Sequence, residues 1–310
     1  MARRRDVPDS RGFVMVGLGE ILWDLLPEGR KLGGAPANFA YHARVLGNRG
    51  LPASRVGSDE EGREIIASLG RLDIPGEQIQ IDSLHPTGSV EVSLDHAGLP
   101  SYRIKKPAAW DFIAYTPQLA DLAAQCDAVC FGSLAQRSPV SRRTIRQFLT
   151  ALPPGALRVF DVNLRQDFYS APLLRQSLEA AGLVKLNHEE LPVLLDLLNL
   201  AGGGSGSKAE AADCRRLLGA FDLELVCLTR GERGSLLITP EREEEHPGFD
   251  VSVADTVGAG DAFTALLVHH VLRRTPLKEI SAAVNRYGAW VATQEGATPP
   301  VPSDLLADVV

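Results

Sequence analysis

Short apolar runs and amphipathic stretches take turns along almost the whole of this 310-residue chain. The apolar runs at 13–19, 50–56, 128–132, 158–162, 183–186 and 223–228 read as buried strands, being too short for helices and bounded by turn residues. Between them, apolar positions recur at helical spacing over 35–46, 60–69, 117–124, 140–152, 173–181, 188–198, 208–219, 262–272 and 277–293. Such alternation predicts a mostly parallel sheet covered by helices on both faces. A strand pair at 235–239 and 245–251 is expected to add an antiparallel edge. One segment breaks the rhythm. Residues 90–95 and 101–105 alternate polar and apolar and are joined by His96-Ala97-Gly98-Leu99-Pro100, a hairpin signal. With the run after Gly19 they predict a small separate sheet. The run Gly202-Gly203-Gly204-Ser205-Gly206-Ser207 reads as a flexible loop rather than a boundary, because alternation resumes after it. Residues 1–310 therefore read as a single α/β domain without internal repeats, with the small sheet drawn from about 20–33 and 86–111.

Two glycine clusters open helical patterns. In Asp255-Thr256-Val257-Gly258-Ala259-Gly260-Asp261-Ala262-Phe263, small residues at a helix start offer free amides to an anion. A carboxylate beside such a nest repels phosphate, so Asp261 makes chemical sense as a base that takes a proton from a nucleophile. Gly258, Ala259 and Gly260 would meanwhile hold the phosphoryl group being moved. The plainer alternative is a glycine turn with Asp261 as helix N-cap. In Gly33-Gly34-Ala35-Pro36-Ala37-Asn38-Phe39-Ala40, Pro36 suits a first helical turn, and Asn38 would sit one turn inside, able to hydrogen-bond a polyol. An ordinary surface Asn after a tight turn is the alternative there.

Taken together the clusters resemble the PfkB family of carbohydrate kinases, with its ribokinase-like fold. The first glycine cluster in the chain matches the family's Gly-Gly…Asn pattern and the second its D-T-x-G-A-G-D-x-F pattern. Gly19-Glu20-Ile21-Leu22-Trp23-Asp24, Thr87-Gly88-Ser89-Val90, Ala109-Trp110-Asp111 and Asp161-Val162-Asn163-Leu164-Arg165 look like the fructokinase branch. The resemblance implies a three-layer αβα sandwich with a small β-sheet lid, and ATP-dependent phosphorylation of a primary sugar hydroxyl, with fructose the expected sugar. It implies the same base, Asp261, and a sugar site built from Asp24, Gly33, Gly34 and Asn38, with Trp110 or another apolar lid group over the ring. Asp24 could equally be a turn charge before Pro27.

The remaining expectations rest on the same resemblance. Asn187 and Glu190, an N-x-x-E pattern at a helix start, would hold Mg²⁺ on ATP mostly through water; a capping box is the alternative. Thr229, Gly231 and Gly234 resemble the nucleotide loop, or form a plain strand-to-strand turn. Asn285 would line the adenine pocket, or be an exposed helical Asn. Asp255 and Val257, with the Gly296-Ala297 segment, resemble loops that hold a monovalent cation such as K⁺. Arg165 would meet phosphate or an acidic sugar substituent, or be merely solvated. An Arg near this motif meets the substrate carboxylate in related 2-keto-3-deoxygluconate kinases, so that activity is an alternative, as is a ribokinase or nucleoside kinase. Phe168-Tyr169 replaces the Trp that follows the Arg in some relatives, which leaves the branch open. Exposed lid strands imply a homodimer through the lid.

Composition narrows this picture without redirecting it. Hydrophobic residues make up 45% of the chain and charged ones 23%, ordinary globular values. A net charge of −7 argues against nucleic acid and anionic membrane as partners, though not against ATP. Cys126, Cys130, Cys214 and Cys227 lack zinc spacing and read as small buried residues of a reduced cytoplasmic protein. No apolar span reaches membrane length, and Arg3-Arg4-Arg5 precedes no apolar signal core, so it reads as a solvated tail. His42, His188, His269 and His270 read as helix-face residues rather than ligands or bases. Two readings from other classes stand beside the kinase. One is a non-catalytic sugar sensor, disfavoured by Asp261. The other is a dinucleotide-binding oxidoreductase, for which Val16-Gly17-Leu18-Gly19-Glu20 lacks the third glycine and the helix start.

Overall fold

The computed structural model describes residues 12–26, 29–94, 100–200, 202 and 206–310. The Arg3-Arg4-Arg5 tail, the 96–99 turn and residues 203–205 of the 202–207 loop lie outside the described residues. In chain order the elements are β1 (Val14–Leu18), β2 (Leu22–Leu26), β3 (Gly29–Gly33), α1 (Ala35–Val45), β4 (Arg49–Gly57), α2 (Glu60–Arg71), β5 (Ile79–Asp82), β6 (Gly88–Leu94) and β7 (Pro100–Ile104). A 3₁₀ turn (Ala109–Phe112) leads to α3 (Pro117–Gln125) and β8 (Ala128–Phe131). A second 3₁₀ turn (Leu134–Arg137) leads to α4 (Pro139–Ala151), β9 (Leu157–Asp161), α5 (Ala171–Ala180), β10 (Leu183–Asn187), α6 (Glu190–Leu197), α7 (Ser207–Ala220) and β11 (Leu225–Thr229). After a third 3₁₀ turn (Gly231–Arg233) come β12 (Ser235–Ile238), β13 (Glu243–His246), α8 (Ala259–Arg273), α9 (Leu277–Ala292) and α10 (Ser303–Val309).

Nine strands form one sheet in the order β13-β12-β11-β10-β9-β8-β1-β4-β5. From β11 through to β5 every neighbouring pair is parallel; β12 and β13 are antiparallel. The period-2 rule sorts the strand side chains between two helical layers. Val16, Val129, Phe160, Val184 and Val226 pack with α3 to α7. Met15, Val159, Leu183, Cys227 and Leu237 face α1, α8 and α9 through Phe39, Leu266 and Tyr287. This is the expected αβα sandwich. The expected small sheet is also present, as β3-β2-β6-β7. There β2 runs parallel to β6 and antiparallel to β3.

Three elements differ from the sequence reading. The outer strand of the edge pair lies at Glu243–His246 rather than over 245–251. Its four residues include three glutamates, whose side chains an edge strand keeps in water. The short strand β5 and the seven-residue α10 lack the length that makes periodicity visible. Among the described residues no helix is long and apolar enough to cross a membrane, and all four cysteines are buried and free.

The α1 layer is fastened to the C-terminal loop by a fully buried histidine, a tie between layers rather than only a helix-face residue. His42 Nδ1 shares a 2.8 Å hydrogen bond with the Tyr287 hydroxyl, and its Nε2 lies 2.9 Å from the Ala297 carbonyl. Burial lowers its pKa from 6.5 to about 4. A lowered histidine pKa means the unfolded chain binds the extra proton, so this contribution is whole above pH 6.5 and is lost as pH falls toward 4. The stability difference between the native protein and His42→Gln should therefore narrow by about 2 kcal/mol between about pH 7 and about pH 5. Urea unfolding of both proteins at the two pH values checks this; a constant difference would show that His42 is not held neutral.

Candidate active site

The carboxyl ends of the parallel strands carry the polar residues, as open α/β sheets require of a ligand cleft. Asp161 ends β9, Asn187 ends β10 and Thr229 ends β11. Two helices point their N-termini at this edge, and neither has a capping side chain. Helix α8 starts from Gly258 at φ 80, a left-handed conformation that suits glycine. A Cβ there would also sit 2.5 Å from Ala297 Cα. Helix α1 starts from Gly34 at φ 116, where a Cβ would meet the Glu20 carbonyl at 2.6 Å. By contrast α2, α3, α4 and α5 are closed by Asp59, Thr116, Ser138 and Ser170. In α8 the Gly260 and Asp261 amides are left for a ligand, while Ala259 donates to the Thr256 carbonyl; in α1 Pro36 has no N–H and the Ala37 and Asn38 amides already donate to the Gly34 carbonyl.

Asp261 stands in the first turn of α8, so the alternative in which it is the N-cap does not hold; Gly258 has that position. Asn38 Nδ2 donates to Asp261 Oδ2 at 2.8 Å, joining the two glycine clusters directly. Burial, and then the negative charge of Asp161, push the Asp261 carboxyl up to about 7, against the pull of Asn38, Lys185 and Arg165. The site is further bounded by Asp24 of β2, whose Oδ2 would lie 2.3 Å from any Cβ at residue 33; Gly33 lets the backbone pass. Burial raises the Asp24 pKa and the charge of Arg165 lowers it. Arg165 is exposed on the loop after β9, and its field reaches Asp24, Asp261 and Glu20. A small cavity beneath these groups is lined by Glu20, Cys130, Asp161, Asn163, Asp261 and Thr264, among others.

On the nucleotide side, Asn187 and Glu190 form the capping box. Asn187 Oδ1 accepts from the amides of Glu189 and Glu190, each at 2.9 Å, and Glu190 Oε2 accepts from the Asn187 amide at 2.9 Å. Glu190 Oε1 takes the Leu164 amide at 2.8 Å, which fastens the Arg165 loop. Asn187 and Thr229 are register partners, and Gly231 (φ 61) and Gly234 (φ 77) make the turn that follows. Asp255 binds the amides of Val257 (3.0 Å) and Gly296 (3.1 Å) and faces Lys31 of β3 at 3.8 Å.

One alternative and one expected contact are corrected. Asn285 is buried rather than an exposed helical Asn, and its Nδ2 donates to Ser235 Oγ and the Ser281 carbonyl, both at 2.7 Å, which ties α9 to β12. Trp110 is wholly buried beneath Gly88 and cannot cover a sugar ring. The histidines of α8 also have internal partners: His269 meets Asn48, and His270 meets Thr275 and Val309.

The residue missed in the sequence is Lys185; its partner Asp161 was singled out there as the start of the 161–165 run. They are direct register partners on β10 and β9, and Lys185 Nζ lies 3.2 Å from both Asp161 oxygens. Thr264 Oγ1 donates to Asp161 at 3.1 Å and to the Gly260 carbonyl at 2.8 Å. A Cβ at Gly260 would lie 3.0 Å from Lys185 Nζ, so the ion pair sits directly under the anion turn. The available signal was a lysine inside an otherwise apolar strand.

Comparison with known proteins identifies the family and agrees with the fold. Residues 29–304 match the description "pfkB family carbohydrate kinase". A fructokinase of Salmonella typhimurium is 31% identical over 304 residues, 92% of this chain and 95% of that protein. A fructokinase of Vibrio cholerae, solved with fructose, ADP and calcium, superposes with a TM-score of 0.78 at 28% identity, covering 97% of this chain and 100% of the other. An uncharacterised sugar kinase of Pyrococcus horikoshii, solved with ATP, superposes at 0.77 with 26% identity over 96% of this chain and 100% of the other.

The buried pair has a thermodynamic signature. Lys185→Met leaves the Asp161 charge without its partner and should cost about 3–5 kcal/mol. The double variant Lys185→Met/Asp161→Asn should recover more than about half of that loss. Denaturant midpoints of the two variants decide it; equal losses would show that the charges do not act as a pair.

Proposed function

The chain belongs to the pfkB family of carbohydrate kinases, and from that premise we propose that it transfers the γ-phosphoryl group of ATP to a primary hydroxyl of fructose. The observation that carries this reading is the Asn38–Asp261 hydrogen bond, which brings a polyol-binding helix start and a phosphate-binding helix start onto one carboxylate. Asn38 engages one Asp261 oxygen and leaves the other to accept the proton of the attacking hydroxyl. As the sugar oxygen bonds to phosphorus, the bond from phosphorus to the bridging oxygen of ATP breaks and ADP leaves with that electron pair. The Gly258-Ala259-Gly260 turn holds the travelling group through charge-assisted hydrogen bonds from its free amides. Asp24, with Gly33 and Gly34 giving it room, accepts from sugar hydroxyls, and Arg165 balances the acidic cleft. Thr229, Gly231 and Gly234 let the backbone approach the nucleotide.

Among the described residues no group of three or more acidic, His or Cys side chains could cage a metal. Each Glu190 oxygen holds one amide and keeps a further lone pair, which fits an outer handle, shared with Asn187, for hydrated Mg²⁺. Bound there, Mg²⁺ would neutralise charge on the β- and γ-phosphates. A monovalent cation such as K⁺ would be held through backbone carbonyls of the Asp255, Val257 and Gly296 loops, which the Asp255 carboxylate ties together by accepting from the Val257 and Gly296 amides.

Fructose is supported by the fructokinases to which the chain is similar. The exposed Arg165 favours a second reading, a 2-keto-3-deoxygluconate kinase, whose substrate carboxylate it would pair. An ADP-coupled screen over fructose, tagatose, ribose, 2-keto-3-deoxygluconate and adenosine should give fructose the highest kcat/KM. A higher value for the keto acid or a riboside would replace this assignment.

Asp261 sets the pH dependence. Its carboxyl titrates at about 7, and only the deprotonated form is a base. With sugar limiting and MgATP saturating, kcat/KM should rise about tenfold per pH unit up to about pH 7 and then level off. Asp261→Asn should lower turnover by about a hundred-fold or more and abolish that limb while the protein stays folded. Substantial residual phosphorylation in Asp261→Asn would remove the base assignment.

A further inference from the structure

The return of the small sheet into the body passes through one arginine outside the reacting groups. Arg137 ends the second 3₁₀ turn, and its side chain is 6% exposed. It grips Asp111 with a fork, Nε to Oδ1 and Nη2 to Oδ2, both at 2.8 Å, and donates from Nη2 to the Lys105 carbonyl at 2.8 Å. Its guanidinium lies 3.9 Å from the Trp110 ring centre and 4.8 Å from that of Phe168. Trp110 supports Gly88, where β6 begins beside Leu22 of β2. Phe168 belongs to the loop that carries Arg165, three residues away. Its Nη1 is buried without a partner, so nothing there offsets a loss of the fork or the stacking.

We propose that Arg137 is a positioning residue for the sugar. It clasps the strand that returns from the lid to the loop that holds Arg165, so that Asp24 and Arg165 face the same hydroxyl-binding space. Both ends of the clasp are on the sugar side. The nucleotide turn at 229–234 and the capping box at 187–190 have no contact with Arg137 among its hydrogen-bond and ring partners. The fields of Arg165 on Asp24 and of Arg137 on Glu20 fit this placement. This inference rests on the reading of the Asp24–Asp261 cleft as the sugar site.

Steady-state kinetics of Arg137→Lys and Phe168→Leu test it. Lysine keeps the charge but loses the fork and the flat stacking face. Arg137→Lys should raise the sugar KM about tenfold and leave the ATP KM within about twofold, because misplacing a binding group penalises only its own ligand. Phe168→Leu should move the sugar KM the same way by about threefold, and it carries the test should Arg137→Lys fail to fold. Equal shifts in both KM values, or a lower melting temperature with neither KM changed, would overturn the proposal alone. Absence of any sugar phosphorylation by the parent protein would overturn the reading of the site and this proposal with it.

Discussion

The ion pair between Lys185 and Asp161 is the constraint on which the cleft depends. Glu20, Asp161 and Asp261 line a single small cavity at one edge of the large sheet. Carboxylates this close repel, and the low dielectric of the interior strengthens the repulsion. Lys185 answers it from directly beneath. Its ammonium is held charged because Asp161, Glu190 and Asp261 together outweigh the cost of burying it. Burial, and after it the charge of Asp161, raise the basicity of Asp261 while Asn38 and Lys185 restrain it, and the balance falls near neutrality. A carboxyl poised there is ionised enough to be a base and basic enough to take a proton from an alcohol.

Helix dipoles make the same edge habitable for anions of another kind. The N-termini of α1 and α8 converge without capping side chains, and Asn38 bonds Asp261 across the gap. In the proposed reading, one helix start meets the hydroxyl-bearing partner and the other the phosphoryl group. The glycines are needed for close approach, not for flexibility: a side chain at Gly258 would strike Ala297, and one at Gly33 would strike Asp24.

Much of this was legible in the sequence because it is written in local pattern. Strand and helix periodicity gave the layers, the antiparallel edge and the separate small sheet, since each element buries its own face. Asp261, its glycines and Asn38 were singled out because helix starts and glycine turns leave short signatures, and Asp24 only through the family resemblance. What failed was tertiary in origin. Trp110 was expected over a ring and is buried beneath Gly88. Nothing local separates a buried ring with internal neighbours from one facing a ligand. Lys185 and Asp161 are 24 positions apart and become partners only through the register of β9 and β10. The shifted β13 shows the same limit at an edge, where exposed strand and loop have one composition.

The Asn187–Glu190 pair shows why the plain and the functional readings of a motif need not compete. Its hydrogen bonds are those of a capping box, and they satisfy the amides that open α6. Yet Glu190 spends its other oxygen on the Leu164 amide, in the loop that carries Arg165. The buried carboxylate therefore joins the end of β10, which adjoins the nucleotide turn through Thr229, to the loop that borders the sugar side. A residue used only for capping could stay at the surface with one oxygen in water. Burial raises the pKa of Glu190 and the charge of Lys185 lowers it, so the cap shares the electrostatic balance of Asp261. Capping and loop placement then draw on one side chain, and the proposed hold on hydrated Mg²⁺ would use the same fixed acceptor at the carboxyl end of that strand.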